Sequence, residues 1–265
     1  TVYRGHSDKR WKILPSAFRD CDDFLNERLY LHEFQRQLPD ACNGLSYFDI
    51  LVKAQHYGVP TRLLDFTLNP LVALYFACEK NSDIDGQVLI FQNSPVFMQE
   101  EITFQLIIHY IFKYKHGVNW TSDMRQRLCK SLERDDDCYF IASEELIEKI
   151  FTASGLPQFV FPKLSNDRVR AQQGVFALFH TPVEKENEFN KGKIRKFAIP
   201  QKDIDISLKA SRAVDIPACE KERILWELDC LGINKATLFA ELEPHAVDIV
   251  RKIKMSNKEI NHKNT

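Results

Sequence analysis

Glycine and proline are scarce, at 9 and 11 in 265 residues. So few chain-breakers exclude a string of small modules on flexible tethers, and no internal repeat or low-complexity linker interrupts the chain. Cysteine is present but unclustered. The seven, Cys21, Cys42, Cys78, Cys129, Cys138, Cys219 and Cys230, are odd in number and contain no Cys-x-x-Cys pair. That excludes a disulfide framework and a thiolate zinc site. Scattered thiols read as small buried hydrophobes in a reducing compartment, so a cytoplasmic location is expected. An excess of one charge is missing too. With 36 Lys plus Arg against 37 Asp plus Glu, the net charge of -1 excludes a surface that is basic throughout, leaving room only for a local patch. No apolar run approaches the ~18 residues of a spanning helix. The longest, Ile107 to Phe112, is short and closely followed by lysines, and no export leader is recognisable, so no membrane association is expected.

The familiar catalytic signatures are also absent. There is no Gly-x-Gly-x-x-Gly, no P-loop, no Gly-x-Ser-x-Gly elbow and no His-Glu-x-x-His helix. The eight histidines show no pair at ligand spacing beside a carboxylate, so no metal is expected.

What is present is an ordinary globular composition, 44% hydrophobic and 28% charged, in a chain long enough to bury a full core. A short strand at Val2–Gly5 comes first. Asp22 to Leu38 carries Phe24, Leu25, Leu29, Leu31 and Phe34 near helical spacing, and Pro39 stops it. Ser46 is a suitable N-cap for a helix reaching about Tyr57, and Asn69-Pro70 opens a third, apolar on nearly every side and hence buried. Val88 to Phe91 reads as a core strand after a turn at Asp85-Gly86. Residues 100–151 are helical in pattern. Strands are predicted at Gln158–Phe161, Gly174–His180 and Lys193–Ile199, and closing helices at Ala218–Leu231 and Pro244–Ile253. Elements interleave without a βαβ rhythm, which predicts an α+β fold: one domain over 1–255, a helical insertion at about 95–155, C-terminal helices, and a disordered tail at 256–265.

Three polar segments break the bland pattern. In Tyr3-Arg4-Gly5-His6 an arginine precedes a strand glycine, which admits another backbone or a ligand at close range. In the second, Gly58 can end the preceding helix and Pro60 prevents its resumption. An extended run from Thr61 then leads to Thr67, with Gln55, His56, Arg62, Asp65 and Thr67 able to surround a polar site. Arg62 and Asp65 can equally form a structural ion pair. In the third, Arg168, Arg170, Gln172 and Gln173 lead into Gly174. Arg4, Arg62, Asp65, Arg168 and Gln172 are expected to line one cleft. Arg168 and Arg170 with Lys191, Lys193, Arg195 and Lys196 form the candidate patch for nucleic acid.

These segments, with Leu231-Gly232-Ile233 through Ala236-Thr237-Leu238-Phe239 as a fourth, resemble the signature of the FRG domain family. The central part runs from Ala54-Gln55-His56-Tyr57-Gly58 through Thr61-Arg62-Leu63-Leu64-Asp65-Phe66-Thr67 to Asn69-Pro70 and Phe76-Ala77. A weaker similarity connects the arginine of the early strand and the Asn-Pro-x-x-Ala-x-x-Phe-Ala helix to the ADP-ribosyltransferase fold.

That second resemblance implies a mixed sheet core and NAD as substrate. NAD would be held by Arg4, Gly5, His6, Gln55, His56, Arg62, Thr67 and Arg168. Asp65 would stabilise positive charge at the anomeric carbon, and Gln172 would stand where such enzymes carry a glutamate. It implies a protein or nucleic-acid acceptor, in a toxin or defence setting. The alternative is a non-catalytic module binding a nucleotide, nucleic acid or protein.

Overall fold

The computed structural model describes residues 1–92, 96–98, 157–163, 167–179 and 208–239, with Phe104, Ile108 and Phe112. β1 (Val2–His6) is followed by α1 (Cys21–Gln37), α2 (Pro39–Cys42), α3 (Tyr47–His56), β2 (Leu63–Thr67), α4 (Pro70–Cys78), β3 (Gly86–Phe91) and β4 (Val96–Met98). Further along come β5 (Gln158–Phe161), α5 (Asp167–Ala171), β6 (Gly174–Leu178), β7 (Arg212–Ile216), α6 (Lys221–Cys230) and α7 (Lys235–Leu238).

Local chemistry sets several of these boundaries. The Ser46 hydroxyl accepts from the Asp49 amide while the Asp49 carboxylate accepts from the Ser46 amide, a reciprocal cap that starts α3. Gly58, at φ +86°, follows the last residues of that helix in the left-handed region. Asn69 caps α4 by accepting from the Leu71 amide at 2.9 Å, and Pro70 occupies its first turn.

Five elements were not foreseen: the short helices α2, α5 and α7, β4, and the edge strand β7, whose residues Arg212–Asp215 are exposed and carry little alternation. The expected strand at Lys193–Ile199, the helix at Pro244–Ile253, the tail 256–265 and most of the region 95–155 lie outside the described residues. Cys42, Cys78, Cys219 and Cys230 carry free thiols, but Cys219 and Cys230 are exposed rather than buried.

The fold mixes α and β. The described strands form one sheet in the order β4-β5-β6-β2-β1-β3-β7. Neighbours run antiparallel except β4 and β5, which are parallel. Alternation sorts the strand residues onto two faces. Val2, Leu64, Phe66, Leu89, Phe91, Phe159, Val175 and Ala177 share one face and pack with Ala17, Phe18 and Phe24. On the other face α4 and α6 cover β1 and β3, while α3 and the helical residues Phe104, Ile108 and Phe112 cover β2, β5 and β6.

Gly5 permits the closest of these approaches. A Cβ there would lie 2.0 Å from the Ala73 carbonyl oxygen of α4. The glycine after the arginine thus admits a helix backbone, not a ligand. At the other end of α4, the buried Lys221 ammonium donates to the carbonyls of Ser7, Lys80 and Asn81 at 2.8, 3.1 and 2.9 Å. This ties α6 to the turns after β1 and α4.

The most consequential departure from the apolar pattern is in α1. Its buried stripe is Phe24, Glu27, Leu31 and Phe34, whereas Leu29 is 61% exposed. Glu27 belongs to that stripe because it meets Arg62. The carboxylate accepts from the Arg62 amide at 2.8 Å, from Nε at 2.8 Å and from Nη2 at 2.6 Å, with both side chains fully enclosed. Arg62 is therefore a partner of Glu27, and among the described residues the alternative pairing with Asp65 does not occur.

Glu27→Gln removes the carboxylate charge that faces the buried Arg62 guanidinium, and a loss of about 3–5 kcal/mol in urea unfolding is expected. Wild-type stability in that variant would contradict the role given to the pair. Gly5→Ala drives a methyl into the backbone of α4 and should cost at least about 3 kcal/mol by the same measurement. A loss below 1 kcal/mol would show that α4 can shift aside.

Candidate functional site

Asp65 is the one exposed residue of a strand whose other four positions are buried. It stands on the helix-covered face opposite Phe176 of β6. Its carboxylate accepts from Gln55 Nε2, at 2.9 Å to Oδ1 and 3.0 Å to Oδ2. The Gln55 amide is itself oriented. Thr61 Oγ1 accepts from the Leu63 amide and so turns its hydrogen to Gln55 Oε1 at 2.6 Å, which leaves the Gln55 NH2 facing Asp65. Among the described residues Asp65 forms no ion pair.

The cleft beside Asp65 holds about 100 Å³ and is walled by Gln55 and His56 of α3 and by Arg168 and Gln172 of α5 and the turn after it. Its floor is Asp65 with Gly174 and Phe176 of β6. Arg168 Nη1 lies 3.1 Å from His56 Nδ1. A guanidinium can only donate, so Nδ1 is the acceptor and the imidazole proton sits on Nε2. The Arg168 guanidinium carbon also stands 4.8 Å from the Phe239 ring centroid, a cation–π contact that holds the head in place. Gln172 turns its amide away, donating to the Leu238 carbonyl at 3.1 Å. Phe239 and Leu238 were not singled out as site residues, though both lie in the closing motif.

The cleft thus gathers Gln55, His56, Asp65, Arg168 and Gln172, and the other expected residues lie elsewhere. Arg62 is enclosed with Glu27 and lines no part of the cleft. Thr67 is a buried latch, donating to the Gln172 carbonyl at 2.7 Å and accepting from the Asn69 amide at 3.0 Å. Gly5 packs on α4. Arg170 pairs with Asp167, and Lys191, Lys193, Arg195 and Lys196 lie outside the described residues.

Arg4 departs most from expectation. Paired with Leu89 and set over the Phe66 ring at 5.8 Å, it points to the sheet face opposite Asp65 and Gln172. β1 meets β2 at a single register pair, Tyr3 with Thr67. Beyond that pair the Arg4 guanidinium reaches across and donates to the Asp65 backbone carbonyl, which the ladder leaves free. Alternation along β1 already separates Arg4 from Gly5, and the same reading would have separated it from Asp65.

His6, on the face of Arg4, is 2% exposed and accepts from Arg4 Nε at 2.9 Å. Burial first, then the charges of Arg4 and Arg19, hold its imidazole down at about 4.

Residues 1–86 match the FRG domain family, a stretch that runs from β1 to the first residue of β3. The Tyr3-Arg4-Gly5 strand and the Gln55–Phe76 segment fall inside it, whereas Arg168, Gln172 and Phe239 fall beyond it. No curated protein and no solved structure matches the chain. Among the described residues no helix is long and apolar enough to cross a membrane, and no cluster of three His, Cys, Asp or Glu could hold a metal ion.

The His6 shift carries a sign. Its folded value, about 4, lies below the ordinary histidine value, so the unfolded chain binds more protons between the two and stability rises with pH there. Acidification from pH 6.5 to 4 should therefore remove about 3 kcal/mol, and His6→Gln should flatten that part of the profile. Urea midpoints across the range test this, and equal slopes in the two proteins would contradict it.

Proposed function

We propose that this cleft is the nucleotide site of an ADP-ribosyltransferase-like domain that takes NAD as substrate. The observation that supports the reading best is the meeting, in one ring-sized cleft, of an amide-held carboxylate and a ring-stacked guanidinium. At about 100 Å³ the cleft is far too small for a whole dinucleotide, so only one edge of the ligand, such as the ribose hydroxyls, would enter it. The exposed Asp65 carboxylate suits ribose hydroxyls, and Arg168 suits the adjacent anionic oxygens. In transfer the bond from the anomeric carbon to nicotinamide breaks, nicotinamide leaves with the bonding electrons, and a nucleophile of the acceptor adds. Asp65 then stands beside the positive charge that develops at that carbon.

One observation favours a second reading, a nucleotide-binding module without turnover. The late strand brings no carboxylate to the cleft, and the Gln172 amide is occupied by Leu238.

Incubation of the full chain with NAD, following nicotinamide release and NAD affinity together, tests both. Asp65→Asn should keep its affinity and lower turnover about a hundredfold, the mark of an interaction made in the transition state. Arg168→Ala should weaken NAD binding roughly tenfold. Undiminished turnover in a folded Asp65→Asn protein would remove Asp65 from the mechanism. Saturable binding without any nicotinamide release would select the second reading.

A further inference from the structure

The sheet face turned away from the cleft gathers a second set of unused donors. Arg4 commits two of its five N–H groups, one to His6 Nε2 and one to the Asp65 carbonyl. Arg19 directs Nε and Nη2 to a single acceptor, the Leu14 carbonyl, at 3.3 and 3.2 Å. Neither arginine forms an ion pair among the described residues, although Arg4 is half-buried. Burial lowers the affinity of Arg4 for its proton to about 10, opposed by the charge of Asp65 and deepened by that of Arg19, and a bound anion offsets the cost of burying the guanidinium.

The segment carrying Arg19 lies over this face, because Ala17 and Phe18 pack in one core with Val2 and Phe66. Arg19 is near enough that its charge helps depress both Arg4 and His6. Trp11, 48% exposed, extends the same surface with its ring centroid 6.0 Å from that of His6. His6 Nδ1 is buried with no hydrogen-bond partner among the described residues. Two guanidinium heads outside any ion pair among the described residues, beside an open indole, match the two halves of a nucleoside phosphate: charged oxygens and a flat base.

We propose that this face carries a second anion site, separate from the Asp65 cleft, in which Arg4 and Arg19 hold the phosphates of a nucleoside diphosphate and Trp11 stacks on its base. The site does not depend on the transferase reading of the cleft, since no side chain is shared between them and only the Asp65 backbone carbonyl meets Arg4.

Calorimetric titration of the full chain with inorganic pyrophosphate and with ADP at low salt tests it. Arg19 is exposed, so Arg19→Ala should fold normally, which a thermal melt verifies. That variant should lose at least tenfold in affinity for both probes, with Arg19→Lys recovering part of it because lysine lacks the fork. Trp11→Ala should weaken ADP and spare pyrophosphate. Unaltered affinity in Arg19→Ala, or no saturable pyrophosphate binding by the wild-type chain, would overturn the proposal. ADP binding lost in Arg168→Ala and kept in Arg19→Ala would overturn it as well, while supporting the cleft as the nucleotide site.

Discussion

The buried pair of Glu27 and Arg62 is the interaction on which the rest of the arrangement depends. A single carboxylate accepts both the backbone amide and the guanidinium of Arg62, which pins the start of β2 to the middle of α1. The Arg62 carbonyl in turn accepts from the Phe179 amide at 3.1 Å, which joins β6 to the same point. Three elements distant in sequence are thereby held in one register. Asp65 lies three residues further along β2, and its place on the helix-covered face follows from that register. A slip by one residue would exchange Asp65 with a core leucine or phenylalanine, so the pair stabilises the cleft without touching it.

The sheet separates two polar regions because close packing leaves them no common side. Gly5 brings α4 onto β1, which closes the helix-covered face there and turns the neighbouring Arg4 to the opposite face. Lys221 holds the N-terminus of α6 against the turns that follow β1 and α4, using backbone carbonyls in place of a carboxylate. Burial lowers the affinity of that ammonium for its proton, opposed by the charges of the surrounding acidic groups. Polar side chains in these regions are therefore divided between structural ties, such as Glu27, Thr67 and Lys221, and groups that face open space, such as Asp65.

Elements backed by strong local signals were legible in the sequence. Ser46, Gly58 and Asn69-Pro70 mark helix ends through their own hydrogen bonds and backbone angles, and the structure has those ends. The buried character of α4 followed from its composition. Elements that depend on tertiary partners were not legible. β7 is an exposed edge strand without alternation, and α5 and α7 are too short to show a period. In the site, Gln55, His56, Asp65, Arg168 and Gln172 came together, whereas Arg62 and Thr67 proved structural. Composition alone cannot tell a charged residue that serves the core from one that serves a ligand. Glu27 shows the difficulty: its spacing with Phe24, Leu31 and Phe34 placed it on the buried face, but its charge disguised it. The separation of Arg4 from Asp65 was derivable from strand alternation and pairing, since Gly5, its neighbour, must face α4.

The central claim is that the cleft between α3, α5 and the β2–β6 pair holds the ribose of a nucleotide. The structure of the chain crystallised with ADP-ribose tests it most directly. The account predicts a ribose hydroxyl about 3 Å from an Asp65 carboxylate oxygen and a phosphate oxygen at the same range from Arg168. An ordered ligand whose ribose lies away from β2, with Asp65 still bound only to Gln55, would contradict it.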